Sequence, residues 1–148
     1  MDHQTSKYLM LIRPRNFSSN EQTLSSNDFQ SGISESSNLS EIRDNVDSEF
    51  TNMIGLLSQH QIEHIVFDDI KDLDSPDAIF PNNWISFHED GTIVLYPMMS
   101  TKRRNERRLD IIDSLSSYGF SISNIIDLSY LENKSEYLEG TGSMILDR

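Results

Sequence analysis

The sequence predicts a mixed α/β fold, because short apolar runs alternate along the chain with a segment of helical periodicity. In residues 39–59, apolar side chains recur at three- and four-residue steps, the period of one helix face. This segment lies between two short apolar runs, 8–12 and 62–67, that have the length of strands. Further along, Asp90 and Gly91 separate two alternating segments, and Asp-Gly is a preferred dipeptide of tight hairpin turns. A strand, a helix, a second strand and a hairpin are therefore predicted in that order.

The first half of the chain supports this order in detail. The first strand is predicted to end at Pro14, whose ring removes a backbone donor. Residues 15–38 are rich in serine and asparagine and too polar to pack as an element, so a long surface loop is expected. Asn38, with Glu41 three residues later, is typical of a helix N-terminus. The second strand is expected to lie parallel or adjacent to the first.

The second half adds a hairpin at 84–96 and a helix over 103–118, which is predicted to end at Gly119 because glycine favours the left-handed cap conformation. Two more strands are predicted at 121–128 and 144–146, separated by a glycine-containing turn.

Composition and charge restrict the function classes. The 148 residues, 36% of them hydrophobic, are expected to form a single domain over 1–148. Lysine and arginine number 12 against 24 acidic residues, and a net charge of −12 repels a phosphate backbone, so no nucleic acid partner is expected. No signal peptide or long apolar run is present, which predicts no membrane partner and a cytoplasmic location. The chain contains no cysteine, which excludes disulfides and thiolate zinc sites within it.

Polar side chains ahead of the hairpin form one candidate binding edge. Asp77 follows a proline, and its carboxylate is expected at a strand entrance, where it could accept hydrogen bonds from a ligand. Asn82 and Asn83 add two amides, each both a donor and an acceptor. The alternative is purely structural, since aspartate after proline and asparagine pairs are common in turns.

A second candidate lies near the end of the sequence, where Glu139 stands beside Gly140 and Gly142. Glycines let the backbone approach a ligand closely, although an ordinary glycine turn with a solvated glutamate has the same pattern. The basic run 102–108 includes Arg103, which could form a forked pair with a ligand carboxylate. A solvated helix face is the alternative for this run.

Neither a metal nor a cofactor site is predicted. His60 and His64 have the spacing of a helical metal pair, but the predicted helix ends between them and no third ligand is near. The glycines of 139–143 lack the spacing and the lysine of a phosphate-binding loop.

Four segments in order resemble the amidinotransferase and arginine-deiminase superfamily, and among its branches they are most similar to the citrulline-hydrolase-like one. They comprise Arg13, Pro14, Phe17, Asn20, Thr23, Asn27, Phe29 and Gln30, then residues 76–84, then Pro97 and Met98 with Arg103, Arg104, Glu106 and Arg107, and finally residues 138–143. The resemblance implies the pentein fold, a five-bladed α/β propeller of strand-strand-helix-strand units. Only the N-terminal half, about two of five blades, is expected in this chain.

The resemblance also implies roles for individual residues. Asp77 corresponds to a substrate-binding acid, and Arg103, or Arg104 in the alternative register, to an arginine that holds a substrate carboxylate. Glu139 corresponds to a catalytic acid that orients a histidine, since a fixed carboxylate stabilises the charged imidazole. Asn82 and Asn83 complete the substrate-binding set.

The implied activity is thiol-dependent hydrolysis of a C–N bond in a ureido or guanidino amino acid. Asn83 stands where relatives that act on guanidines often carry aspartate, which favours a neutral, citrulline-like substrate because a buried carboxylate would lack a cationic partner. The nucleophilic cysteine and the relay histidine of the family have no counterpart here, and His88 does not match the relay position.

Two explanations follow. The chain is either the N-terminal half of a hydrolase, partnered by a C-terminal half, or a non-catalytic binding or interaction protein derived from that family. Open propeller edges also predict self-association.

Overall fold

The helix α1, Leu39–Gln59, begins where the sequence predicts. We describe the protein from a computed structural model, which describes residues 6–22 and 38–145. The side-chain Oδ1 of Asn38 accepts hydrogen bonds from the backbone N–H groups of Ser40 and Glu41, at 3.1 and 3.4 Å. These bonds satisfy two of the amides that a helix N-terminus leaves without intrahelical partners, so the predicted cap is confirmed.

The described chain divides into two compact units between Ile79 and Phe80. In the first unit, β1 (Tyr8–Arg13) pairs in parallel with β2 (Glu63–Asp68), and α1 connects them. Both strands and their parallel pairing agree with the sequence pattern. Of the predicted loop at 15–38, only the part up to residue 22 is described, and it contains neither helix nor strand; the remainder up to Ser37 lies outside the described residues. A single domain over 1–148 stays a prediction.

The second unit holds a three-stranded sheet in the order β3-β4-β5. The antiparallel strands β3 (Ile85–Phe87) and β4 (Thr92–Leu95) form the predicted hairpin, and β5 (Asn124–Asp127) lies parallel to β4. Gly91 has φ +81°, and a Cβ there would lie 2.8 Å from the carbonyl oxygen of Ser121, so the turn requires glycine.

The helical segment after the hairpin differs from the prediction of one helix over 103–118. The structure has α2 (Thr101–Arg104), α3 (Leu109–Ser114) and a 3₁₀ turn, Leu115–Tyr118. Arg108 breaks the helix with φ −102° and ψ 88°. Arg103 pairs with Glu139 and Arg107 with Glu132, and these tertiary ion pairs compete with the local preference for one continuous helix. Gly119 closes the segment at φ +86°, as predicted.

The strand predicted at 144–146 was wrong for the described residues. The glycine turn before it forms a short helix, α4 (Gly140–Ser143), and Met144 is extended but pairs with no described strand. Ile145 is 95% exposed, and no described strand forms a ladder with it.

The buried apolar residues of the second unit centre on the sheet and α3. Trp84 is fully buried, and Ile85, Ile93, Leu95 and Ile111 are at most 3% exposed. Along the chain, the second unit has two strands, the helical segment that contains α2 and α3, and a third strand, whereas the first unit has strand-helix-strand. The mixed α/β class predicted from the sequence is confirmed.

No helix in the described residues is both long enough and apolar enough to cross a membrane.

Candidate functional site

Three of the sequence-predicted site residues meet in the second unit. Asn83 ends the 3₁₀ turn Pro81–Asn83, Arg103 lies on α2, and Glu139 directly precedes α4. Together with Glu106 they form what we call the Arg103 cluster. The fold brings them together, although Asn83 and Glu139 are 56 positions apart in the sequence.

Arg103 is the centre of this cluster and is only 6% exposed. Its Nε and Nη2 donate to Glu106 Oε2 at 3.2 and 3.1 Å, and its Nη1 donates to Glu139 Oε2 at 3.3 Å. Nη2 also donates to Asn83 Oδ1 at 3.1 Å. One guanidinium thus holds two carboxylates, of which the Glu106 side chain is only 1% exposed. Such charge-assisted forks combine strength with fixed geometry.

Glu139 is fixed through both of its oxygens. Oε2 accepts from Arg103, and Oε1 accepts from the backbone N–H of Met99 at 3.2 Å. Its side chain keeps 22% exposure, so the carboxylate is ordered and still reaches solvent. An ordered carboxylate of this kind can accept a hydrogen bond from an imidazole or from a ligand N–H.

Asn83 uses both ends of its amide inside the protein. Oδ1 accepts from Arg103, and Nδ2 donates to the backbone carbonyl of Glu139 at 3.1 Å. A Cβ on Gly142 would lie 2.0 Å from this Nδ2, so the position three residues after Glu139 favours glycine. Gly140 is required as well: its φ is +45°, and a Cβ there would lie 2.3 Å from the Asn82 carbonyl oxygen.

Asn82 is exposed and lies outside the Arg103 cluster. Its Nδ2 donates to Thr141 Oγ1 at 2.9 Å, and Thr141 Oγ1 in turn donates to the Asn82 carbonyl at 3.3 Å. These bonds tie the 3₁₀ turn to α4.

A second group of charged side chains adjoins the Arg103 cluster, and the sequence did not predict it. Glu132, with its side chain 8% exposed, pairs with Arg104 at 3.2 Å and with Arg107 through both carboxylate oxygens. We call these three residues the Glu132 cluster. Glu132 Oε1 also accepts from the backbone N–H of Met98 at 2.8 Å. The neighbouring amides of Met98 and Met99 therefore bond to Glu132 and Glu139, respectively.

The basic run 102–108 is thus not a solvated helix face at its arginines 103, 104 and 107, which are buried or half-buried and paired. No local pattern identifies Glu132, since it lies in an ordinary polar stretch at least 25 residues from its partners. Glu106 belongs to the third of the four segments that resemble the superfamily, but its sequence position did not suggest a role.

Asp77 lies in the first unit, in a turn instead of at the strand entrance that the sequence suggested. The reason is that the 3₁₀ turn Pro81–Asn83 stands between Asp77 and β3. Its Oδ2 accepts a hydrogen bond from Asn20 Nδ2 at 2.8 Å. Asn20 belongs to the same unit, and sequence reasoning assigned it no role.

His60 and His64 do not form a helical metal pair, because α1 ends at Gln59 and His64 lies on β2. Its Nδ1 lies 2.8 Å from the Ile62 carbonyl oxygen. Within 6–22 and 38–145, no group of three or more histidine, aspartate or glutamate side chains could hold a metal ion.

A comparison with protein families identifies the chain more closely. The family described as N,N dimethylarginine dimethylhydrolase, eukaryotic, matches residues 13–148. The chain belongs to the dimethylarginine dimethylhydrolase family. This family is part of the pentein superfamily, so the superfamily resemblance drawn from the sequence is confirmed. A search of the curated proteins found no significant match.

Membership in the dimethylarginine dimethylhydrolase family supports a link to arginine metabolism and to hydrolysis of C–N bonds in methylated arginine. It also supports an arginine-like small molecule as the class of substrate. The matched residues include the Arg103 cluster, the Glu132 cluster and Asp77.

Proposed function

We propose that this chain contributes the ligand-binding acid and the histidine-orienting acid of a thiol-dependent hydrolase that acts on methylated arginine. The observation that carries the proposal is the family match over residues 13–148, within which Glu139 is fixed by Arg103 and by a backbone amide. In this proposal Asp77 pairs with the ligand guanidinium, and Glu139 orients a histidine.

The chemistry requires a nucleophile that these 148 residues do not contain, because they include no cysteine. In the proposed reaction a thiolate attacks the guanidinium carbon, and dimethylamine leaves with a proton supplied by the histidine. Water then releases the thiol and leaves a ureido group. We propose that a further polypeptide segment, the C-terminal half, supplies the cysteine and the histidine.

The fold is proposed to be an incomplete pentein propeller. The strand-strand-helix-strand order of the second unit matches one such blade, and the strand-helix-strand order of the first unit matches part of another. This is the basis for proposing about two of five blades.

Arg103 has two candidate roles. The resemblance gives it the substrate carboxylate, whereas its bonds to Glu106, Asn83 and Glu139 support a role in holding Glu139. Since Arg103 is 6% exposed and its guanidinium is already paired with two carboxylates, we propose that orientation of Glu139 is its main contribution.

Asn82 stays a proposed substrate-binding residue. It is exposed, and its Nδ2 is bonded to Thr141.

The neutral amide of Asn83 favours a citrulline-like ureido ligand over a guanidino ligand. Both ends of that amide are bonded within the Arg103 cluster. In our proposal, Asp77 therefore pairs with the positive charge of the ligand. We therefore place methylated arginine first and a citrulline-like ligand second. Titrations with both compounds decide the order, because tighter binding of citrulline would restore the ureido preference.

Isothermal titration calorimetry with N,N-dimethylarginine tests the proposal. We expect Asp77→Asn to weaken binding about 10-fold or more, since a hydrogen bond to a charged group is worth about 1.5–3 kcal/mol. Asp72→Asn is the matched control, because Asp72 is an exposed acid of the same segment whose φ of +68° asparagine tolerates well. Equal affinities of Asp77→Asn and the unmodified chain would contradict the proposal.

The absence of cysteine also favours a second candidate, a non-catalytic binding or interaction protein. This candidate would be supported if the chain binds N,N-dimethylarginine and no dimethylamine is released after a segment with the proposed cysteine and histidine is added.

A further inference from the structure

Asn20 is a fully buried side-chain amide at 0% exposure, and it lies in the segment that follows β1. Its Nδ2 donates to Asp77 Oδ2 at 2.8 Å, and its Oδ1 accepts the backbone N–H of Gln22 at 3.2 Å. Burying an amide is unfavourable unless its polar atoms are bonded, so both bonds are needed where Asn20 lies. The Gln22 bond fixes the plane of the amide, and the amide then fixes the position of the Asp77 oxygen.

A second asparagine, Asn16, lies four positions earlier and bonds to different partners. Asn16 Nδ2 donates to Asp69 Oδ2 at 3.1 Å and to the Ile70 carbonyl at 2.8 Å. Asp69 also accepts from Ser75 Oγ at 2.8 Å, and its backbone N–H donates to the Arg13 carbonyl. Asn16 therefore links the segment after β1 to the segment after β2 through bonds to a side chain and to a backbone carbonyl, and these bonds do not involve the Asp77 carboxylate.

Asp77 is differently placed because its carboxylate is half-buried, in a turn that belongs to neither a helix nor a strand. The partners of the carboxylate help to select its rotamer, and Asn20 is one of them. A carboxylate that recognises a planar guanidinium must present its own plane in one orientation, because forked pairing depends on geometry as well as charge. The bond from Asn20 supplies this restriction from a distance of 57 residues along the chain.

We propose that Asn20 is a positioning residue for ligand binding: it holds the Asp77 carboxylate in the orientation that a guanidino ligand requires. The inference rests on the proposed function of Asp77. It assigns a ligand-directed role to the segment after β1, in which Asn16 bonds to Asp69 and to the Ile70 carbonyl.

The experiment combines a measurement without ligand and one with ligand, on the full chain. Three-bond NMR couplings report the χ1 rotamers of Asp77, and calorimetry reports the affinity for N,N-dimethylarginine. Asn20→Ala and Asn20→Ser remove the Nδ2 donor, and Asn16→Ala is the matched control. We expect both Asn20 variants to average the Asp77 rotamers and to weaken binding about 10-fold or more, the effect of one charge-assisted bond. Asn16→Ala should lower the melting temperature while the Asp77 rotamer and the affinity stay unchanged.

The outcomes distinguish a failure of the Asn20 role from a failure of the proposed function. A single Asp77 rotamer in a folded Asn20 variant would overturn the positioning role, as would an unchanged affinity in such a variant. If both Asn20 variants unfold while Asp77→Asn stays folded, Asn20 serves the core and the proposal is also overturned. If the unmodified chain does not bind N,N-dimethylarginine, the proposed function fails for this chain, and the rotamer measurement still decides whether Asn20 positions Asp77.

Discussion

Replacement of Arg103 by methionine should destabilise the second unit strongly. Arg103 is 6% exposed, and the Glu106 side chain that it binds through two nitrogens is 1% exposed. Breaking a buried ion pair by removing one partner costs about 3–5 kcal/mol, because the remaining charge stays buried and unpaired. The pair with Glu139 adds at most about 1 kcal/mol, since that carboxylate is partly exposed. We therefore expect a loss of about 3–5 kcal/mol.

Urea denaturation followed by tryptophan fluorescence measures this loss. Trp84 is the only tryptophan, is fully buried, and lies in the second unit, so its emission reports the unfolding of that unit. With a slope of about 2 kcal/mol per molar urea, the midpoint should fall by about 2 M. Arg108→Met is the matched control, because Arg108 pairs with Asp110, whose side chain is 64% exposed. Such a pair is worth about 1 kcal/mol or less.

A double variant protects the test if Arg103→Met is too unstable to measure. Adding Glu106→Leu removes the stranded buried charge, so the double variant should be more stable than Arg103→Met alone. The reasoning is refuted if Arg103→Met and Arg108→Met shift the midpoint equally, or if the double variant is the least stable of the set.

Two further predictions concern a glycine contact and a pH dependence. Gly142→Ala should cost about 1–3 kcal/mol, because its Cβ would lie 2.0 Å from Asn83 Nδ2 and must displace that amide. Gly55→Ala, in an open position of α1, should instead be neutral or stabilising by up to about 1 kcal/mol, and equal urea midpoints for both variants would refute the contact. The hydrogen bond from the Arg108 guanidinium lowers the pKa of Asp110. Its contribution to stability is therefore present above the unfolded-state pKa of about 3.9 and is lost as pH falls through the lower folded-state pKa. Asp110→Asn should lower the urea midpoint slightly at pH 7 and leave it unchanged near pH 2; a difference that grows with acidity would contradict this sign.

The elements that the sequence predicted correctly are those that neighbouring residues determine. The first turn of α1 is capped by Asn38, and the hairpin turns at Gly91 because the backbone there needs a positive φ. Both signals act within three or four residues, so they can be read without knowledge of the tertiary structure.

The break between α2 and α3 could not be predicted in the same way. On either side of it, Arg103 pairs with Glu139 and Arg107 with Glu132, carboxylates 36 and 25 positions away, and such pairs compete with local helix propensity. Periodicity reports which face of a helix is apolar, and it does not report which distant acid a basic side chain reaches.

The candidate site shows the same limit. Asp77, Asn83 and Glu139 were singled out from their local patterns and from the resemblance to a superfamily, whereas the partners of Asn20 and Glu132 became visible only through bonds across the fold. Buried polar side chains must find partners, but the sequence does not name those partners.

The most direct test of the central claim is a two-dimensional ¹⁵N NMR titration of the chain with N,N-dimethylarginine. The account predicts saturable shifts at the backbone amide of Asp77 and at the Asn20 side-chain amide that donates to it, with small changes at exposed Asp72 and Gly55. Saturable shifts confined to other residues, or none at millimolar ligand, would contradict it.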